Sequence, residues 1–104
     1  MKKKIVILGS TGSIGKSLLN IIDKEKESFD IILLSAKKDY KTLIKQAKKF
    51  NVKNLIVQDI ESFKLLKKKL LNSKIKIFNS FDDLKNILKN KVDYTMNSIT
   101  GIDG

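Results

Sequence analysis

The 104-residue chain contains no cysteine, histidine, proline, tryptophan or arginine. Without cysteine there is no disulfide framework and no thiolate chemistry. Without histidine the usual proton shuttle near neutral pH is missing. Without arginine the bidentate reading of base edges is unavailable. The net charge of +11 comes entirely from lysine, and the lysines are spread along several helical patterns. Their abundance, beside that of isoleucine and asparagine, reads as the codon drift of an AT-rich genome. Specific nucleic-acid binding is therefore not expected, although a basic surface can help to gather anionic ligands. Long apolar runs are also missing: none approaches the roughly 18 residues that cross a membrane. The start Met1-Lys-Lys-Lys before Ile5–Leu8 looks superficially like a signal peptide. Its apolar part is too short, ends at Gly9 and has no small-residue cleavage site, so a cytoplasmic protein without membrane contact is expected.

What the chain does have is Lys4-Ile-Val-Ile-Leu-Gly-Ser-Thr-Gly-Ser-Ile-Gly15. A short apolar run meets glycines at 9, 12 and 15 and then passes into a helical apolar pattern. This is the strand–turn–helix with which a dinucleotide-binding fold grips phosphate. Gly9 lets the chain leave the strand tightly. Gly12 lets a pyrophosphate approach the backbone. Gly15 lets the helix pack closely. The first amides of the helix, unpaired within it, point at the anion. The spacing is G-x-x-G-x-x-G and not the commoner G-x-G-x-x-G, so the context of alternating elements carries much of the argument.

That context is regular. Strands are expected at 4–8, 29–35, 54–58, 74–78 and 93–99. Between them fall helices. Ile14, Leu18, Ile21 and Ile22 are expected to share one face of the first, with Ser13 as its N-cap. Leu43, Ile44, Ala47 and Phe50 mark the second, which Asp39 can cap. Phe63, Leu66, Leu70 and Leu71 mark the third. Ser80 and Asp83 form a capping box for a fourth, with Leu84, Ile87 and Leu88. The alternation predicts one α/β domain over 1–104: a doubly wound parallel sheet, Rossmann-like, with the first strand central. Ligands in such sheets sit at the carboxyl ends of the strands, so 97–101 is expected to face the cleft. The chain closes just after its fifth expected strand, which reads as a domain cut inside its own binding site.

The second strand ends in Ser35-Ala36-Lys37-Lys38-Asp39. In the NAD pattern an acidic residue stands at this corner and binds the ribose 2′-hydroxyl. Two lysines suit a 2′-phosphate better, so the corner favours NADP, provided that Asp39 turns away to cap the following helix.

Ile7-Leu-Gly-Ser-Thr-Gly-Ser-Ile-Gly15, Leu34-Ser-Ala36 with Lys38, Gln46 with Phe50, and Asn97-Ser-Ile-Thr-Gly101 together resemble the 1-deoxy-D-xylulose 5-phosphate reductoisomerase family, in its N-terminal NADPH-binding part. Aspartate-semialdehyde dehydrogenases and extended short-chain dehydrogenases share parts of this pattern. The resemblance implies an oxidoreductase of non-mevalonate isoprenoid biosynthesis. It converts 1-deoxy-D-xylulose 5-phosphate to 2-C-methyl-D-erythritol 4-phosphate with NADPH and Mg²⁺ or Mn²⁺. By position, Thr11, Gly12, Ser13 and Ile14 line the cofactor pyrophosphate, and Lys37, Lys38 and Asp39 form the 2′-phosphate corner. The family usually has Gly-Lys-Asn at that corner, so only Lys38 matches. Catalytic, metal and substrate-phosphate residues fall on no position of this sequence, and the chain alone is expected to be inactive. The implied partner is a phosphorylated sugar, and a homodimer is compatible with the complete enzyme. The alternatives are another NADP-linked oxidoreductase with the same first unit, or a non-catalytic basic nucleotide-binding module.

Overall fold

The computed structural model describes residues 2–84, 88 and 92–98. Among them, strands β1 (Lys3–Leu8), β2 (Phe29–Ala36), β3 (Asn54–Val57), β4 (Lys76–Phe78) and β5 (Tyr94–Asn97) form one sheet. Its order is β4-β3-β2-β1-β5, and every neighbouring pair is parallel. Helices α1 (Ser13–Asp23), α2 (Tyr40–Phe50) and α3 (Ile60–Lys69) link the first four strands. The chain steps outward from β1 to β4 and then returns to the opposite side of β1 as β5. The strand order thus reverses at β1, which is interior but not central as expected: among the described strands β2 holds the middle place, because only β5 lies beyond β1.

Parallel strands covered on both faces read as continuous apolar runs, and β1 shows why. Ile5 and Ile7 lie on one face, in a core with Leu19 and Ile22 of α1, Leu43 and Ala47 of α2, and Leu66 of α3. Val6 lies on the other, with Leu33 and Ile56, under Phe81, Leu84, Leu88 and Val92. Helices therefore cover one face, and the described part of 81–92 covers the other. The β1–β2 register shifts between Ile5, opposite Ile31, and Val6, opposite Leu33. The extra residue in β2 is Ile32, a bulge that lets Ile31 and Leu34 join the same core although three positions apart.

The strand limits agree with expectation within two residues, except that position 99 lies outside the described residues. β4 starts at Lys76 and not at Lys74 because Ser73 Oγ accepts the Ile75 amide in a tight turn (2.9 Å), and the ladder begins with Lys76 N donating to Lys53 O (2.8 Å). α1 departs from expectation in two ways. Its N-cap is Gly12, with no side-chain cap, and Ser13 is its first helical residue. Its buried residues are Gly15, Leu19 and Ile22, while Ile14 and Ile21 are 53% and 59% exposed. The cause is close packing at Gly15, which turns the 15/19/22 stripe onto the sheet. Leu71 is likewise exposed, because α3 ends at Lys69. Ser80 accepts the Asp82 amide (3.0 Å) and opens a 3-10 turn over Phe81–Asp83. Most of the fourth expected helix lies outside the described residues, but Leu88 N donates to Leu84 O in helical register.

α2 and α3 are capped by side chains. Asp39 Oδ1 accepts Thr42 N (3.1 Å), as the sequence predicts. Asp59 Oδ2 accepts both the amide and the hydroxyl of Ser62, at 3.0 and 2.8 Å. The Ser62 hydroxyl bond above all, then the Ser62 amide and the positive charge of Lys38, hold the Asp59 carboxyl below its ordinary value, against opposing desolvation. A lowered folded-state pKa stabilises the fold above the unfolded value of 3.8, and the effect is lost as pH falls through the folded value. Asp59→Asn keeps an acceptor but does not titrate, so it should flatten the acid limb of the stability curve. Urea midpoints from about pH 5 down to about pH 2 test this; parallel curves for the two proteins would contradict it.

Candidate nucleotide-binding site

The site is built at the end of β1. Gly9 has φ of 76°, a left-handed conformation open to glycine at little cost. The turn is then held from three sides. From β2, Ser35 Oγ accepts Gly9 N (2.8 Å) and Ser35 O accepts Ser10 N (2.9 Å). From α2, Gln46 Nε2 donates to Ser10 O (2.9 Å), and Gln46 Oε1 accepts the Ser10 hydroxyl (2.8 Å). From the residue after β5, the Ser98 hydroxyl lies 2.7 Å from Leu8 O and 3.0 Å from Gly9 O. Ser10, Ser35, Gln46 and Ser98 are all buried, and buried polar groups survive because they are bonded. All four stand in the strings that carry the family resemblance, and Ser98 lies in the segment expected to face the cleft, but the bonds that join them at the turn are not foreseen from the sequence. The available signal was a set of serines at the ends of otherwise apolar strands and a glutamine beside Leu43 and Ala47 on the buried face of α2.

Beyond this clamp the chain opens to solvent. Thr11 is half-buried, and Gly12, Ser13 and Ile14 are exposed. Gly12 O accepts Lys16 N (2.9 Å) as the first bond of α1. The amides of Ser13, Ile14 and Gly15 thus have no acceptor within the helix. No side chain caps this end and no acidic residue stands in its first turn, so among the described residues no acid of the helix start competes for the amides. A β-carbon built on Gly12 would find Gly9 O at 3.8 Å as its nearest neighbour, which is ordinary contact with open space beyond. On Gly15 it would lie 2.4 Å from Gly9 O and 2.6 Å from Ser10 Cα. The two glycines therefore differ: Gly15 is required by packing, whereas Gly12 leaves room on the outer side for a ligand.

The corner at the end of β2 lies beside this turn, since Ile7 pairs with Leu34. Lys37 and Lys38 are exposed there. Asp39 is bonded to Thr42 N and so turns its carboxylate to the helix, the condition under which the corner accepts a phosphate. Backbone bonds from Asp59 N to Lys37 O (2.8 Å) and from Tyr40 N to Lys38 O (2.7 Å) fix the loop. On the other flank, β5 brings Asn97 opposite Leu8; residues 99–101 lie outside the described residues. The arrangement suits a dinucleotide: an amide nest for pyrophosphate at the strand-order reversal, with two ammonium groups one strand away. Among the described residues, no group of three or more Asp or Glu is placed to hold a metal ion.

Gln46→Leu keeps the volume but removes the donor facing Ser10 O. Stability should fall by about 1–3 kcal/mol, the cost of leaving a buried polar group unpaired, and the turn should loosen with it. Chemical denaturation checks this, and an unchanged midpoint would show that the clamp is dispensable.

The family model described as 1-deoxy-D-xylulose 5-phosphate reductoisomerase matches residues 5–104. The reductoisomerase of Pelagibacter ubique is 56% identical over 104 residues, covering 98% of this chain and 27% of that protein. That of Wolbachia pipientis from Culex pipiens is 36% identical over 102 residues, covering 98% and 26%. Among solved structures, the Zymomonas mobilis enzyme in complex with NADPH superposes with a TM-score of 0.84 at 30% identity, over 95% of this chain and 26% of that one. A reductoisomerase in complex with NADPH, fosmidomycin and magnesium gives 0.82 at 25% identity, over 93% and 24%. This chain spans about a quarter of the length of these relatives. With the family's Rossmann-like sheet and its glycine turn both in place, the chain belongs to the 1-deoxy-D-xylulose 5-phosphate reductoisomerase family.

Proposed function

We propose that this chain, as one domain over 1–104, is the NADPH-binding part of an enzyme that converts 1-deoxy-D-xylulose 5-phosphate to 2-C-methyl-D-erythritol 4-phosphate. The observation that carries the reading is the open Gly12 at an uncapped helix start free of acidic residues, in a chain of this family. Thr11, Gly12, Ser13 and Ile14 would hold the pyrophosphate through their backbone. Lys37, Lys38 and Asp39 would form the adenosine 2′-phosphate corner, with the two ammonium groups meeting the phosphate and the Asp39 carboxylate capping α2 beside them. NADPH, when bound, supplies the hydride of the reduction. The described residues do not form a magnesium or manganese site, so no step is assigned to a metal here. A phosphorylated sugar substrate, a cytoplasmic setting, a homodimeric assembly and no nucleic-acid partner belong to the same proposal. Among the described residues, no helix is long and apolar enough to cross a membrane.

Gly12→Val should abolish NADPH binding and leave the fold intact, because the added side chain fills the pyrophosphate's space and meets no crowded backbone. Calorimetry with NADPH on the folded variant decides it: unchanged affinity would make the turn merely structural.

The corner sets cofactor preference. Charge-assisted contacts contribute about 1.5–3 kcal/mol each when well placed and less when solvated. NADPH should thus bind about tenfold or more tightly than NADH, since 1.4 kcal/mol is roughly a factor of ten. Lys38→Ala should remove more of that preference than Lys37→Ala, and rising salt should shrink it because both side chains are exposed. Equal affinities for the two cofactors in the unaltered protein would remove the basis for NADPH.

A further inference from the structure

The opposite end of the sheet carries a second basic feature that the cofactor site does not use. A cavity of about 600 Å³ opens at the amino ends of β1, β2 and β3, lined by Lys2, Lys4, Lys26, Lys49, Lys53 and Asp30. Its size is within the range of small-ligand sites. β1 spans 6 residues, which separates this cavity from the glycine turn by about 20 Å.

Two of the five lysines have a structural explanation. Lys26 and Lys49 reach the Asp23 carboxylate at 3.1 and 3.3 Å, and their ammonium groups lie 5.9 and 5.7 Å from the centre of the Phe50 ring. They also stand near the carboxyl ends of α1 and α2, where helix carbonyls favour cations. Lys2, Lys4 and Lys53 are different. They belong to no helix, and their ammonium groups form no ion pair among the described residues. Asp93, beside Lys4, turns its carboxylate to the Lys4 main-chain amide (2.7 Å). Each helix end contributes about half a negative charge. Set against these ends and the carboxylates of Asp23, Asp30 and Asp93, five ammonium groups still leave a surplus of about one positive charge. Phe29 and Phe50 supply an apolar wall beside it. A single phosphate would meet too few of these solvated groups at once, whereas a chain of phosphates spans several.

We propose that this cavity binds a polyphosphate chain, free or as the tail of a nucleotide. The test is a ¹H–¹⁵N titration with tripolyphosphate at low salt, on the chain carrying Gly12→Val so that the glycine turn cannot compete. The amides of Lys4, Asn51 and Lys53 should shift, and those of Ser13 and Ile14 should stay in place. Lys4→Ala with Lys53→Ala should weaken binding at least tenfold. Lys64→Ala with Lys74→Ala removes the same charge away from the cavity and should change affinity less than twofold. Adenosine triphosphate separates the two sources. Tighter binding than tripolyphosphate assigns the site to a nucleotide whose base reaches Phe29 or Phe50; no gain assigns it to the free chain. No binding, or equal weakening by the two double variants, would reduce the feature to diffuse net charge and overturn the proposal.

Discussion

A β-carbon at residue 15 would lie 2.4 Å from Gly9 O and 2.6 Å from Ser10 Cα, so α1 can press its first turn against the end of β1 only through glycine. The rest of the site follows from that approach. It brings the helix start directly over the strand end, leaving Gly12 as the extended residue at the helix mouth. It also sets the rotation of α1, so that residues 15, 19 and 22 face the sheet while Ile14 and Ile21 face outward. Gly9, at positive φ, reverses the chain sharply enough for strand and helix to meet in so few residues.

Such a turn has little apolar area to hold it, and polar bonds replace packing. Ser35, Gln46 and Ser98 reach Gly9, Ser10 and Leu8 from β2, α2 and the end of β5. Each net bond contributes only about 0.5–1.5 kcal/mol. Their joint effect is geometric: three separate elements must all be in register before the turn has its shape. The open helix amides are thereby positioned by the tertiary structure and not by the local sequence alone, as a pre-formed anion site requires.

Much of this was legible in the sequence. Continuous apolar runs are buried at 5–7, 33–34 and 55–57, and the period change into helical spacing marks each crossover. β4 was blurred because its boundary depends on one serine-closed turn, at Ser73. Of the expected face of α1, Ile22 is buried and Leu18 packs against the core, whereas Ile14 and Ile21 turn outward. Hydrophobic spacing alone does not choose between overlapping stripes, and the choice is made by a glycine, which hydrophobicity does not weigh. The same blindness hid the clamp: Ser10 and Gln46 lie 36 positions apart and meet only in the fold. The strand order was half legible: a right-handed crossover fixes the direction of a step only once the face that carries its helix is known, so the return of β5 to the far side of β1 emerges only in the sheet.

Charge is organised differently at the two ends of the sheet, although lysine supplies all of the basic side chains. At the carboxyl ends of the strands the nearest cationic surface to the turn is backbone: unpaired helix amides with no acid in the first turn. Lysine enters only at the corner, where Lys38 already shares its field with Asp59 and Asp39 is engaged as a cap. A ligand that fits this end must therefore place its main negative charge at the backbone and a lesser one toward the lysines, a distribution that a pyrophosphate with a distal phosphate satisfies. At the amino ends the helices present carbonyls, backbone works against anions, and any attraction must come from side chains in excess. The fold's polarity thus decides at which end backbone can meet an anion and at which end only side chains can.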